Sequence, residues 1–491
     1  MKPSKTYLMR GSRAGGSSLR TLSIGLAGLL LSTVACSDSG NKVDNIAGRG
    51  GAGGSSSGTG GAGRGGGGGS QQGTGGAGAA GQGGAGQAGQ GGGQAGGGQS
   101  GGGQGGGGTA DANTMGDADG STPGNGDAKA DTGSTPGGLA GYKYSKVVKL
   151  DTTAAGANVT AAVEKYPLAL VLNTTNFDFM QAKEKGEDVR FTKADGTPLP
   201  HAIELWDRAT TTAAIWVKLD QVLANDNTQS FVMHWGNADA TDGSDTKAVF
   251  PQAEGFVGVY HLDEEGNTTA NGYKDASSHE AHATGLNLMA NARVDGRIGK
   301  ATNLSNPAGG TAAARWIRMN EPTKLAQFNT SPTNAITISI WTKATSYPTS
   351  YCTIMSKGDT SWTLQRIGTS NQYEPCHHWG GASGDHLCAV SNARTAAGQW
   401  VHLAATFQEP KLVLYVNGVV DKSNMMANWD YGNHAFGIGN QTQFDARRYW
   451  DGVMDEARVM RGLRSPAWFK LDFESQREGQ KLVSFGPVQM K

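Results

Sequence analysis

The sequence predicts an all-β protein: two β-sandwich-like modules, the second a jelly roll, held behind a long polar tether. Three observations carry this. The stretch QWVHLAATFQEPKLVLYVNGVV, Gln399 to Val420, compresses three antiparallel strands into barely twenty residues. Short apolar segments recur at close spacing from Lys146 to Trp235. Before them lies a long segment of Gly, Ala, Gln and Ser with almost no branched apolar or aromatic side chain.

In the first of these stretches Trp400, His402, Ala404 and Thr406 alternate with Val401, Leu403, Ala405 and Phe407, a period of two that sends side chains to opposite faces of a strand. Gln408 to Lys411 forms a turn containing Pro410, and Leu412 to Val416 resumes the apolar run. Asn417-Gly418 supplies two residues that tolerate positive φ, as a two-residue hairpin turn requires.

The tether is defined by what it lacks. Of the 78 glycines most lie between Ala47 and Gly141, and such a composition cannot bury enough surface to offset the entropy of ordering it. Ala47 to Gly108 reads as a flexible coil, and Thr109 to Gly138 shifts to Asp, Asn, Thr and Pro. Asp117-Ala118-Asp119-Gly120 has the start of a calcium loop, but the later ligands, including the closing Glu, are missing. Lys+Arg and Asp+Glu both number 42, so there is no basic excess to attract nucleic acid.

At the N-terminus Lys2, Lys5, Arg10, Arg13 and Arg20 precede the apolar segment Leu22 to Leu31 and then Thr33-Val34-Ala35-Cys36, the layout of a secretory signal. The segment is short for a permanent membrane span. Small residues followed by Cys resemble the lipobox of bacterial lipoproteins, although Thr33 stands where Leu is commoner. By that resemblance Cys36 is the first mature residue and carries the lipid. Ser37, in place of Asp, implies the outer membrane.

Folded sequence is expected from Tyr142. Lys146–Leu150, Leu168–Leu172, Asp188–Thr192, Ile203–Trp206, Ala213–Leu219 and Ser230–Trp235 read as strands, with an Asp195-Gly196 hairpin turn among them. Residues 142–254 resemble the DUF2341 family through Tyr166-Pro167, Glu187 to Thr192, Asp195 to Pro200, Ile203 to Trp206, Ile215 to Lys218 and His234 to Asn237. No activity is implied, though related proteins carry such modules beside energy-transducing proton channels. A place in an envelope complex is therefore one expectation.

From Gly255 a second set of strands begins with Val257 to Leu262 and closes with Gly452 to Val459. Its order resembles the concanavalin A-like, laminin-G-type sandwich, through His261-Leu262-Asp263-Glu264, Ile338 to Trp341, Met355 to Gly358, Trp400 to His402, Leu414 to Gly418 and Asp455-Glu456. Coverage is 255–475, leaving 476–491 as a C-terminal tail. Pro466 to Leu471 and the residues after it look like the helix-and-strand ending found where the two families are fused. Together the resemblances imply a lipid-anchored surface protein that binds a glycan or a cell-surface protein.

Candidate chemistry is sparse. Cys376 and Cys388 flank Gly380 to Gly384 at equal distances, placing them opposite one another across a hairpin as an expected disulfide; Cys352 is left over, either buried or pairing instead with one of them. His377-His378 with Cys376 and His386 could suggest zinc, but neighbouring residues on a strand point apart. Glu264-Glu265 and Asp455-Glu456 invite a glycosidase reading. Glucanases of this fold resemble one another through a Glu-x-Asp-x-x-Glu strand, which is missing here, and Asp455 and Glu456 are expected on opposite faces. Asp455 is instead expected to bind backbone groups or, with Asp275, a structural calcium. Trp379, Trp429, Tyr431 and Trp450 lie in or beside loops, and flat aromatic faces there suit sugar rings. Catalysis is not expected.

Overall fold

The computed structural model describes residues 139–491, apart from 307–313, 332–333, 359–360, 369, 379–385, 427–431, 442 and 444–447. The expected signal segment, Cys36 and the expected tether lie outside the described residues, as do Trp379, Trp429 and Tyr431. Residues 139–491 fall within one compact unit.

Two antiparallel sheets make the first module. One is three-stranded, with Thr212–Val222 between Val163–Leu172 and His201–Asp207. The other is five-stranded, and its edge is not contributed by the local sequence. Its order begins with Val483–Met490, then Tyr144–Leu150, Ser230–Trp235, Arg190–Thr192 and Pro198–Leu199. The last strand of the chain thus returns across the whole second module to pair antiparallel with the first, Leu150 opposite Val483. Residues 483–490 are part of the first module's sheet, where the sequence suggested a tail.

An eight-stranded and a seven-stranded sheet form the second module. The strands Trp400–Gln408, Lys411–Val416 and Val419–Met425 are consecutive neighbours, as read from the sequence, with Asn417 at φ 51° and Gly418 at φ 77° in the turn. Val401, Leu403, Ala405 and Phe407 enter the interior between the sheets. The opposite face is buried too: Ala404 packs in the hydrophobic cluster that fills the first module.

That cluster runs from Leu168, Trp216 and Phe231 through Phe256 and Met460 to Trp468, Phe469 and Leu482, so the two modules share a core. The wedge between them is the helix Pro466–Gln476. Ser465 caps it by accepting from Trp468 N–H, and Pro466 occupies its first turn, where a missing N–H costs nothing. Eight of its residues are buried, polar Asp472, Glu474, Ser475 and Gln476 among them, because protein covers it on more than one side. Among the described residues no helix is long and apolar enough to cross a membrane.

Candidate functional site

The polar side chains of this wedge and of the sheets on either side form one buried network. Glu204, on a strand of the first module, accepts from Trp216 Nε1 (2.7 Å) and lies 3.4 Å from His261 Nδ1. His261, just past the strand Phe256–Tyr260, is 2.7 Å from Glu456 Oε1. Arg458 reaches Glu456 at 2.8 Å on one side and Asp472 of the helix at 2.7 Å on the other. Asp472 then meets His402 Nε2 at 3.0 Å. Gln476 receives Trp341 Nε1 (2.7 Å), and Tyr166 and Ser475 hydroxyls lie 3.0 Å apart.

Asp455 and Glu456 do not simply face opposite ways. Register shifts between Asp455, opposite Trp341, and Arg458, opposite Ser339, so two residues face Ile340 alone, and Glu456 takes φ 52°. The bulge keeps both carboxyls buried and within each other's field, a local geometry that alternation alone does not anticipate.

Electrostatics divide these acids into two kinds. Burial, then the Glu456 charge, raises Glu204 and Asp455 well above the ordinary carboxyl range. Burial also acts on Glu456 and Asp472, but His261 and Arg458 for the first, and Arg458 and His402 for the second, outweigh it and hold them low. Burial would lower His261; the adjoining Glu456 and Glu204 override it and push the imidazole up to about 10. Arg458 lies 4.5 Å over the Trp216 ring, and His261 stacks on that ring at 5.8 Å. A buried network whose charges are paired chiefly with one another joins the two modules.

The expected calcium ligands bind backbone amides. Asp275 accepts from Val259, Ser277 and Ala281 N–H and from the Ser277 hydroxyl, all at 2.8 Å. One oxygen of Asp455 accepts from Arg297 and Ile298 N–H. Both carboxyls tie loops to strands, as the backbone alternative had it. Among the described residues neither belongs to a group of three convergent metal-binding atoms; those groups are Glu204, His261 and Glu456, and Glu374 with Cys376 and Cys388.

Cys376 and Cys388 sit directly opposite in register and are joined as a disulfide, with Cys352 buried and free. His377 is buried, and the side chains of His378 and His386 lie outside the described residues. Trp450 is not a sugar platform: it is fully buried, 6.2 Å from Tyr347 within the second core. A loop-adjacent tryptophan here plugs the end of the sandwich, because its large apolar area is worth more inside. Glu264 accepts from Lys274 N–H and, through burial, rises to about 7.

An open cleft of about 650 Å³ lies at the joint, lined by Lys146, Asn173 and Asn176 of the first module, Arg297 of the second, and Arg477 and Glu478 past the helix. Sequence reasoning missed it, since its walls come from four distant parts of the chain. The only advance signal was the resemblance of the Pro466 segment to the ending of fused proteins.

Residues 185–272 match the domain of unknown function DUF2341, and residues 318–469 match the Concanavalin A-like lectin/glucanases superfamily. The chain therefore carries a DUF2341 domain followed by a concanavalin A-like domain. No curated protein matches it. Among solved structures it is similar to domain 4 of AbnA, a GH43 extracellular arabinanase from Geobacillus stearothermophilus, in complex with arabinotriose. Identity there is 18%, coverage 45% of this chain and 98% of that one, and the TM-score 0.31. It is also similar to the CBM40 of a Ruminococcus gnavus IT-sialidase bound to alpha2,3 sialyllactose (14% identity, 35% and 96% coverage, TM-score 0.29). Against the binding domain of Paraclostridial Mosquitocidal Protein 1 the values are 14%, 44% and 52%, and 0.32, so about half of that chain is spanned.

Proposed function

We propose that the protein is a lipid-anchored bacterial surface protein that binds carbohydrate without acting on it. The concanavalin A-like lectin/glucanase match supports the ligand class. The observation that carries the absence of catalysis is the fate of the carboxyls. Asp455 and Glu456 are sealed in the joint, and the main open clefts each contain at most one carboxylate: Glu478, Asp178, Asp220 or Asp295. Glycoside hydrolysis typically uses two, roughly 5 to 9.5 Å apart across an accessible sugar. Cys36 at the end of an apolar N-terminal segment supports the anchor, with the glycine-rich stretch as spacer and the outer membrane as destination.

A glycan array probed with the full chain tests the binding. Retention of defined saccharides with no reducing-sugar release is the expected result. Release that disappears in Asp455→Asn or Glu264→Gln would establish the enzyme instead. Metabolic labelling with a tagged fatty acid, lost in Cys36→Ala, tests the anchor.

A further inference from the structure

The cleft at the joint has a charge arrangement that the surrounding protein leaves unbalanced. Arg297 forms part of its wall, with a side chain only 12% exposed, lying 5.3 Å over the Trp341 ring. Its Nε donates to the Gln476 carbonyl at 3.0 Å. The carboxylate that pairs with its guanidinium, Glu478, is 3.6 Å away and 93% exposed, a loose pairing that water screens. Lys146 lines the same cleft, is 6% exposed, and donates to the Asn176 carbonyl. Among the described residues no carboxylate pairs with it, and the Phe485 ring lies 5.7 Å from its amine. The contrast with Arg458, gripped by two buried carboxylates, is direct. Two cations have been largely withdrawn from water in an open cavity, one with a mobile-type surface partner and one with carbonyl oxygen alone. Such an arrangement costs free energy unless an anion enters.

Resting on the carbohydrate-binding reading, we propose that this cleft is the binding site and that its ligand is an acidic saccharide. The sugar carboxylate pairs with Arg297, and Lys146 in the same cleft adds to the positive field. A guanidinium suits this group because its planar fork can meet both oxygens at once. The cavity volume lies within the range of small-ligand sites. Lys146 belongs to the first module and Arg297 to the second, so the bound saccharide touches both modules. Burial already lowers the Lys146 amine, and an entering carboxylate reverses that direction.

The test is calorimetry on the full chain with uronate- and sialate-containing oligosaccharides, each beside its carboxyl-reduced form, followed by sulfated counterparts. An acidic member of the panel is expected to bind about tenfold or more tightly than its reduced form, and to weaken with salt. Arg297→Gln and Lys146→Met are expected to remove this preference. Glu478→Gln removes the competing surface carboxylate and is expected to strengthen binding two- to three-fold, roughly the scale of one exposed charge; no misfolded variant would do that. Equal binding of acidic and reduced sugars, unchanged in Arg297→Gln, overturns the inference and leaves the carbohydrate reading standing. Equal binding of sulfated sugars overturns the carboxylate assignment. Failure of every saccharide overturns both.

Discussion

Glu204 of the first module and His261 of the second meet across the joint, 3.4 Å from carboxyl oxygen to Nδ1, and Glu456 reaches the same ring nitrogen at 2.7 Å. A Cβ placed on Gly299, which has φ 51°, would come within 2.4 Å of Glu204 Oε1, so a side chain there would displace the Glu204 carboxyl. Two modules that could have been beads on a string are instead locked by a shared buried polar network and a shared core.

The lock is expected to weaken in alkali. His261 holds its proton up to about 10 in the folded protein. Its contribution is therefore complete below the usual histidine value near 6.5 and is lost as pH rises through 10. Glu204 and Asp455, also raised, bind more protons folded than unfolded and slope the same way. Thermal midpoints should fall between pH 7 and 10.5. His261→Gln should cost about 3–5 kcal/mol at pH 7 by stranding buried charge, and its alkaline slope should be shallower. An unchanged slope would exclude His261 as the titrating group.

The final strand is expected to be structural. Leu482 is fully buried in the shared core, and Val483–Met490 covers the edge of Tyr144–Leu150. Truncation after Gln480 should lower the melting temperature by several degrees, since burying one leucine is worth about 2–5 kcal/mol before any lost backbone pairing. Hydrogen exchange should show Tyr144–Leu150 losing protection first. Retained protection there would mean that the strand is dispensable.

Opening the disulfide should lower stability. Cys376 and Cys388 close a loop of 12 residues. Chain entropy puts that constraint at about 3 kcal/mol. A Cys376→Ala/Cys388→Ala variant should melt lower by that amount in denaturant titration. Buried Cys352 should resist thiol reagents until the protein unfolds.

Asp275 should matter through its amides and not through an ion. It accepts four hydrogen bonds in a buried turn. Asp275→Ala leaves those donors unsatisfied, at about 1–3 kcal/mol each if none is rescued by water. Differential scanning fluorimetry should show a large loss for the variant and no shift of the parent protein on adding EDTA. A chelator-sensitive parent would restore the calcium assignment.

Much of the strand layout was legible because one buried face writes a period of two, as at Trp400–Gln408, and because Asn417-Gly418 allows few other turns. His402 shows where that reading stops. Alternation puts it on the face away from the core of its own sandwich, where a histidine would ordinarily meet water, yet it is 1% exposed and bound to Asp472. Nothing within Gln399 to Val420 encodes the helix that covers it. Trp450 shows the converse: its setting beside loops was legible, its burial was not. Glu456 was misplaced because a bulge breaks the alternation on which the prediction of its face depended.

By itself, then, the sequence determined what short-range chemistry can write: strands and turns from periodicity, a disulfide from symmetric spacing. The tertiary structure alone decided that Val483–Met490 completes the first sheet, that Glu204 lies beside His261, and that Lys146 and Arg297 line one cleft. Those juxtapositions join residues more than fifty positions apart. They depend on how two apolar faces and one wedge helix minimise exposed area together, a quantity no local pattern records.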